Sequence, residues 1–190
     1  MKRLGGKLRF IYLGNLGRAH DVPLFLDFLR ACAAEIEIEV GFVGTAEASL
    51  APVRALAAEQ GLGFEQHPSI AFEQLPQKLP PLNFDYGLVA FSEQFAGLLS
   101  PSKFSGYLVA GLPIVYLGPP GTNGALVCDR FGAGFRMDRN SLAPESLRKT
   151  LAYMQAQRRT AEMAARVDAA RVFFDRFDGD HLAREILLRA

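Results

Sequence analysis

The residues of this chain best suited to chemistry lie in the segment 101–115, which reads PSKFSGYLVAGLPIV. Ser102 and Lys103 lie where a helix is expected to begin, with Ser100 as its cap and Pro101 in its first turn. A helix start presents free N–H groups and the positive end of the helix dipole, and both favour anions. A lysine adds a mobile positive charge suited to phosphate. The segment predicts an anion site; a well-capped helix with a solvated lysine is the alternative.

A second candidate lies at 14–21, GNLGRAHD, directly after a short apolar run. Glycines there would let the backbone approach a ligand, and an arginine could pair with a phosphate. The candidate contacts are Gly14, Asn15, Gly17, Arg18 and His20. The spacing is not the G-x-G-x-x-G of dinucleotide binders, so a plain strand-to-helix turn remains open. His20 alone fits a surface or capping histidine as well as a catalyst.

Two other patterns are weaker indications of a functional site. The segment 118–124, GPPGTNG, resembles a P-loop in its position, but Gly124 stands where that motif needs its lysine. We therefore expect a turn beside the site and not an ATPase. Glu73, Asp85 and Glu93 show no spacing that requires a shared acid–base site, and Asp85 is expected to cap a turn. No catalytic triad or metal cluster is predicted.

The spacing of apolar residues predicts strands that alternate with helices, and these elements position both candidate sites. Strands are predicted at 10–13, 36–42, 62–66, 85–91, 113–117 and 134–137, the second with one less buried face. Helices are predicted at 21–34, 50–57, briefly within 72–82, after Lys103, at 123–131, around 147–154 and from Thr160, with a break near 178–179. Such alternation implies an α/β fold with a doubly wound parallel sheet. Ligands of such sheets bind at the carboxyl ends of the strands, where both candidates lie.

Composition excludes several classes of function. The chain has 190 residues and a formal net charge of +1, so no global field draws it to nucleic acid or acidic lipid. Its two cysteines, Cys32 and Cys128, form no disulfide framework and favour a reducing compartment. No run approaches the ~18 apolar residues of a membrane span, and the run 10–13 is too short for a signal peptide. We expect a cytoplasmic chain without nucleic-acid partners or a transmembrane segment.

Four segments in a fixed order carry a family resemblance. They are GNLGRAHD at 14–21, FVG at 42–44, FDYGLVAF at 84–91 and PSKFSGYLVAGLPIVYLGPP at 101–120. Together they resemble the C-terminal, donor-binding domain of family 4 glycosyltransferases of bacterial polysaccharide and surface-glycan assembly, over roughly residues 8–140. The resemblance implies a GT-B enzyme and one Rossmann-like domain over 1–190. Its core would cover about 8–157, with helices on both faces and a C-terminal helical tail at about 160–190.

The resemblance also implies a site. The 14–18 loop and the Ser102/Lys103 helix start would cradle the diphosphate of a nucleotide sugar, and residues 67–70 would lie near the base. No cofactor or metal is implied, because basic side chains and helix dipoles stabilise the leaving diphosphate. That role would fall to Arg18 and Lys103.

Two departures from the family pattern qualify this expectation. Gly106 and Leu98 stand where many members carry glutamates, so donor contacts are expected to differ. The acceptor-binding N-terminal domain is not in the sequence, so activity would need a separate domain or chain, and peripheral attachment to the inner membrane is left open. A non-catalytic nucleotide-binding or protein-interaction module and a flavodoxin-like nucleotide binder remain alternatives.

Overall fold

In the computed structural model, which describes residues 3–98 and 103–175, strands and helices alternate along the chain. The strands are β1 (Lys7–Leu13), β2 (Glu37–Val43), β3 (Gly63–His67), β4 (Tyr86–Ala90), β5 (Ile114–Leu117) and β6 (Gly134–Met137). The helices are α1 (Val22–Glu35), α2 (Glu47–Gln60), α3 (Leu75–Lys78), α4 (Lys103–Val109), α5 (Asn123–Asp129), α6 (Pro144–Gln157) and α7 (Ala161–Asp175). The predicted break near 178–179 lies outside the described residues.

The six strands form one parallel sheet in the order β3-β2-β1-β4-β5-β6. This is the doubly wound, Rossmann-like arrangement, so the predicted fold class is confirmed. One apolar core joins the sheet to α1, α2 and α6, and a second core joins it to α3, α4, α5 and α7. The strand order reverses between β1 and β4, and an open α/β sheet offers its ligand crevice at such a point.

Local signals in the sequence account for several boundaries. The Asp21 carboxylate accepts a hydrogen bond from the Leu24 N–H at 2.9 Å and caps α1, as predicted. Gly61 ends α2 in the left-handed conformation, with φ at +66°. Thr122 caps α5, so the segment 118–124 is a turn that leads into a helix.

One expectation about burial is wrong. β2 was expected to leave one face less buried, but every residue after Glu37 is buried. The Phe84 ring covers Gly41, and the Glu39 carboxylate pairs with Lys7 and Arg9. Burial alone would raise the pKa of Glu39, but its hydrogen bonds, including those with Lys7 and Arg9, lower the pKa to about 2.

Asp85 does more than cap a turn. Its side chain is almost completely buried, and Oδ2 accepts a hydrogen bond from the Arg9 N–H at 2.9 Å. Oδ1 lies 3.0 Å from the Arg159 guanidinium, and Oδ2 lies 3.5 Å from that of Arg158. Asp85 therefore ties the α6–α7 turn to the amino ends of β1 and β4.

Tyr107 of α4 links the two strands at the reversal. The ladder between β1 and β4 pairs only Phe10 with Tyr86 and Ile11 with Gly87. Beyond it, the Tyr107 hydroxyl accepts from the Leu13 N–H at 2.8 Å and lies 3.1 Å from the Ile11 carbonyl and 3.0 Å from the Leu88 carbonyl. Its ring lies where a Cβ on Gly87 would be. α4 is thereby fixed to both strands.

Replacing Tyr107 with phenylalanine tests this link. Removing the hydroxyl leaves the partly buried Leu13 N–H without its partner, which costs about 1–3 kcal/mol. We expect Tyr107→Phe to lower the free energy of unfolding in urea by that amount. Tyr153→Phe, at a tyrosine that is 49% exposed, is the control and should stay within ~0.5 kcal/mol of the wild type. Equal stability of the two variants would contradict the role given to Tyr107.

Candidate functional site

A cavity of about 230 Å³ opens at the carboxyl ends of β1 and β2. It is lined by Leu13, Gly14, Val43, Ser69, Ile70, Phe72, Leu75, Lys103 and Gly106. Three segments that the sequence singled out meet here: the loop after β1, the loop after β3 and the start of α4. The rule that ligand sites form at the carboxyl ends of parallel strands therefore locates this cavity correctly.

The Lys103 ammonium lies against the backbone of the loop after β1. Nζ donates to the Leu13 carbonyl at 2.7 Å, lies 3.3 Å from the Asn15 carbonyl and is 5.0 Å from the centre of the Tyr12 ring. An ammonium has three N–H donors, so one remains for a ligand in the cavity. Burial lowers the pKa of Lys103 to about 8. The side chain is thus a positioned, partly desolvated charge and not the mobile, solvated lysine that the sequence suggested.

The loop 14–20 is held from several sides. Gly14 has a φ of +71°, and a Cβ there would lie 3.1 Å from the Lys103 Nζ. The Thr45 hydroxyl donates to the Gly14 carbonyl at 2.7 Å, and the Asn15 Oδ1 accepts from the Ala46 N–H at 2.7 Å. Asn15 therefore fastens the loop to the residues before α2, and its side-chain oxygen is engaged within the protein.

Gly17 and His20 shape the same loop. The His20 Nδ1 accepts from the Gly17 N–H at 2.8 Å, and its ring packs edge-on against Tyr12. Burial and, after it, the nearby charge of Lys103 lower the pKa of His20, which favours a neutral imidazole. Their predicted contacts with a ligand stay predictions.

Arg18 does not line the cavity. Arg18 is exposed at the loop, and its guanidinium forms no hydrogen bond or ion pair with another described residue. Ser102, together with Ser100 and Pro101, lies outside the described residues. Of the predicted anion contacts, Gly14 and Lys103 both line the cavity.

The segment 67–70 contributes Ser69 and Ile70 to the lining. A Cβ on Gly44, whose φ is +64°, would lie 3.0 Å from the Ser69 Oγ, so the loops after β2 and β3 touch. His67 is set apart from the lining, with Nε2 3.0 Å from the Glu65 carboxylate and its ring against Phe84. Of the segment expected near a base, Ser69 and Ile70 thus line the cavity, whereas His67 packs against neighbouring residues away from it.

Sequence reasoning missed Phe72 and Leu75, which form much of the apolar wall, and gave Tyr107 no role. The three prolines in 72–82 indicated only a broken helix, and no local pattern reveals which residues of such a segment face a cavity. Gly106, where the family that the sequence resembles carries a glutamate, lies close to two leucines. A Cβ there would lie 3.0 Å from Leu75 Cδ1 and 3.3 Å from Leu13 Cδ1, so a larger side chain would require both leucines to shift by a few tenths of an ångström.

Two kinds of feature are absent from the described residues. Within 3–98 and 103–175, no group of three or more His, Cys, Asp or Glu could hold a metal ion. In the same ranges, no helix has the length and apolar character that crossing a bilayer requires.

The strand order and the lysine-bearing cavity at the reversal define this protein as a doubly wound α/β protein with a candidate anion-binding site. Neither a model of a known protein family nor a curated protein matches the chain. Solved structures of several glycosyltransferases do match with TM-scores of 0.50–0.55, so the chain has the fold of a GT-B C-terminal domain.

Three of these structures define the likeness. WaaG, a glycosyltransferase involved in lipopolysaccharide biosynthesis, has a TM-score of 0.55 and 16% identity over 89% of this chain and 43% of its own. The C-terminal domain of LpcC, a group 1 family glycosyl transferase from Francisella tularensis, has a TM-score of 0.53 and 11% identity over 88% of this chain and 84% of its own. VinC, a glycosyltransferase solved in complex with DTDP, has a TM-score of 0.50 and 17% identity over 96% of this chain and 41% of its own. The chain thus spans less than half of WaaG and VinC.

The position of Lys103 makes its titration measurable. NMR of the protein with ¹³C-labelled lysine should show one side chain that titrates near pH 8 and is missing from Lys103→Met. The native state then binds fewer protons than the unfolded chain between pH 8 and pH 10.5, the ordinary pKa of lysine. The free energy of unfolding of the wild type should therefore rise with pH across this window relative to Lys103→Met. A Lys103 signal at the ordinary pKa would contradict the buried placement.

Proposed function

We propose that this chain is the donor-binding part of a glycosyltransferase of surface polysaccharide or glycan synthesis, and that its cavity binds a nucleotide diphosphate sugar. One observation carries the proposal: a single cavity combines a positioned ammonium with an apolar wall. Lys103 and Gly14 supply a charged, close backbone surface, while Ile70, Phe72 and Leu75 supply the apolar part. A nucleoside diphosphate has this same division into an anionic group and a flat ring.

Lys103 would contribute most at the diphosphate. When a glycosyl group leaves a nucleotide sugar, negative charge grows on the departing phosphate oxygen. A fixed positive charge in a partly desolvated site stabilises such growing charge without reorganisation of solvent. The carbonyls of Leu13 and Asn15 hold Nζ in place, and its remaining N–H is available to the phosphate. This supports a donor site that works without a bound metal ion.

Phe72 would form the surface for the base. Its side chain is 53% exposed although it lines the cavity, and an aromatic ring left in water is a favourable stacking partner for a flat ligand. Ile70 and Leu75 extend this apolar surface. The base would thus lie beside the loop after β3, next to the 67–70 segment where the family resemblance implies it.

The acceptor would bind elsewhere. The chain covers 43% of WaaG and 41% of VinC, so these enzymes contain as much chain again beyond the matching part. We propose that an N-terminal acceptor-binding domain, in the same protein or a separate chain, forms the other wall of the cleft. Glycosyl transfer would then require both parts.

Calorimetric titration with UDP, GDP, dTDP and their sugars tests the proposal directly. We expect one class of nucleotide to bind, and Lys103→Ala to weaken its binding by about 1–3 kcal/mol, as for a hydrogen bond to a charged group. Lys149→Ala is the matched control, because Lys149 lies exposed on α6 and pairs with Glu145. Absence of binding by every nucleotide to the folded protein would sink the proposal, and an unchanged affinity in Lys103→Ala would remove Lys103 from the site.

The apolar wall has its own test. Phe72→Ala should weaken nucleotide binding by about 1–3 kcal/mol, the range for loss of one base–aromatic stack, and Phe72→Tyr should retain it. Inorganic pyrophosphate has no base, so its affinity should be the same in Phe72→Ala and in the wild type, yet fall in Lys103→Ala. Equal losses of pyrophosphate and nucleotide binding in Phe72→Ala would mean that the ring supports the cavity and does not stack on the base.

A further inference from the structure

A second cavity, of about 310 Å³, opens where β4, β5 and β6 end. The loop 14–20 separates it from the first cavity: Gly14 at the start of the loop lines the first, and Asp21 just after the loop lines the second. The Ala19 carbonyl accepts from the Ser92 N–H at 2.9 Å, which fixes the loop to the residues after β4. We call this second cavity the β4–β6 groove. Its volume is near the lower end of small-molecule sites, which span about 300–1,000 Å³.

The arginines of the groove are already neutralised. The Arg139 guanidinium lies 2.9 Å from the Asp27 carboxylate and 3.6 Å from that of Asp21. The Arg136 Nε lies 3.0 Å from the Asp129 carboxylate. Since each arginine has a carboxylate partner, the groove offers no counterpart to the positive charge that Lys103 brings to the first cavity. A phosphate group is therefore not the ligand that it favours.

Two polar side chains of the groove remain available. Glu93 and Asn140 are exposed, and neither side chain forms a hydrogen bond or ion pair within the part of the chain that the structure describes. Together they supply carboxylate acceptors, an amide acceptor and amide donors. Pro119 and Pro120, from the turn after β5, add an apolar surface without N–H groups. Hydrogen-bonding groups beside an apolar surface match a sugar ring, which carries hydroxyls at its edge and C–H groups on its faces.

We propose that the β4–β6 groove binds an uncharged glycosyl unit, with Glu93 and Asn140 hydrogen-bonded to its hydroxyls. The sugar is either the one carried by the nucleotide or one belonging to the acceptor, and both present the same chemistry to the groove. That the sugar is the one carried by the nucleotide rests on the proposed function. That the groove binds a sugar at all does not depend on it. Glu93 lies in the loop between β4 and α4, five residues before Leu98, so this assignment uses a position that the family's glutamate pattern does not mark.

Free methyl glycosides test the groove without any nucleotide. We expect millimolar methyl glucoside, galactoside or mannoside to shift the amide NMR signals of Gly118 and Asn140 in the ¹⁵N-labelled chain. Loss of a hydrogen bond to a charged group corresponds to about tenfold or more, so Glu93→Ala should weaken this binding at least that much. Asn140→Ala should weaken it by a few-fold. Glu145→Ala, an exposed glutamate at the start of α6, is the control and should leave the affinity unchanged.

The negative outcomes are clear. If none of the glycosides shifts these signals, or if Glu93→Ala and Asn140→Ala bind them as tightly as the wild type, the groove is not a sugar site. Lys103→Ala separates this failure from failure of the proposed function, because it should weaken nucleotide binding and leave glycoside binding unchanged. Loss of both in Lys103→Ala would overturn the claim that the two cavities act separately.

A competition experiment assigns the source of the sugar. If the groove holds the donor's sugar, the nucleotide sugar that the protein binds best will displace the methyl glycoside, and the matching nucleoside diphosphate will not. If the groove holds the acceptor's sugar, both ligands will leave the glycoside bound. Displacement by the nucleoside diphosphate itself would place the anion in the groove and overturn the proposal.

Discussion

The arrangement of the candidate site depends on how α4 closes the gap between β1 and β4. Where the ladder between these strands stops, Leu13 is held at both of its backbone groups by one helix: its N–H by the Tyr107 hydroxyl and its carbonyl by the Lys103 ammonium. These two residues lie four apart on α4, and side chains at this spacing share a helix face. Fixing Tyr107 in the gap therefore places Lys103 at the carboxyl edge of the sheet, which is where a doubly wound fold binds its ligands.

This position has an electrostatic cost that suggests its use. Burial disfavours the charged ammonium, and the backbone carbonyls that accept from Nζ compensate only in part, so the pKa falls to about 8. An anion in the cavity would restore the full charge and gain more from it than in water, because the site is partly desolvated. The same charge helps to keep the His20 imidazole neutral, so His20 adds no second cation beside Lys103. A single lysine thus dominates the field of the first cavity.

The sequence predicted the elements better than the contacts between them. The spacing of apolar residues and the positions of turn and capping residues predicted six strands and the cap of α1. These signals are local, because Asp21, Gly61 and the apolar runs each act over a few residues. The rule for parallel strands then brought Gly14 and Lys103 together although they are far apart in the chain. It could not identify Tyr107, Phe72 or Leu75, whose roles depend on contacts between distant segments. The burial of Asp85 and of β2 was missed for the same reason, because the arginines and the Phe84 ring that cover them come from other elements.

The loop 14–20 divides the edge of the sheet into two chemical environments. On one side, Lys103 adjoins an apolar wall and carries a charge that no carboxylate of the described residues neutralises. On the other, Arg136 and Arg139 are paired with aspartates, while the side chains of Glu93 and Asn140 form no hydrogen bond with any described residue. A ligand that joins a nucleoside diphosphate to a neutral sugar has the same two parts, and a backbone loop between them would face the bond that connects them. Gly14 suits this position, because a side chain there would press on the lysine and separate the phosphate from its charge. The division of charge along one edge, more than any single residue, is the basis of the proposal that this surface binds a nucleotide sugar.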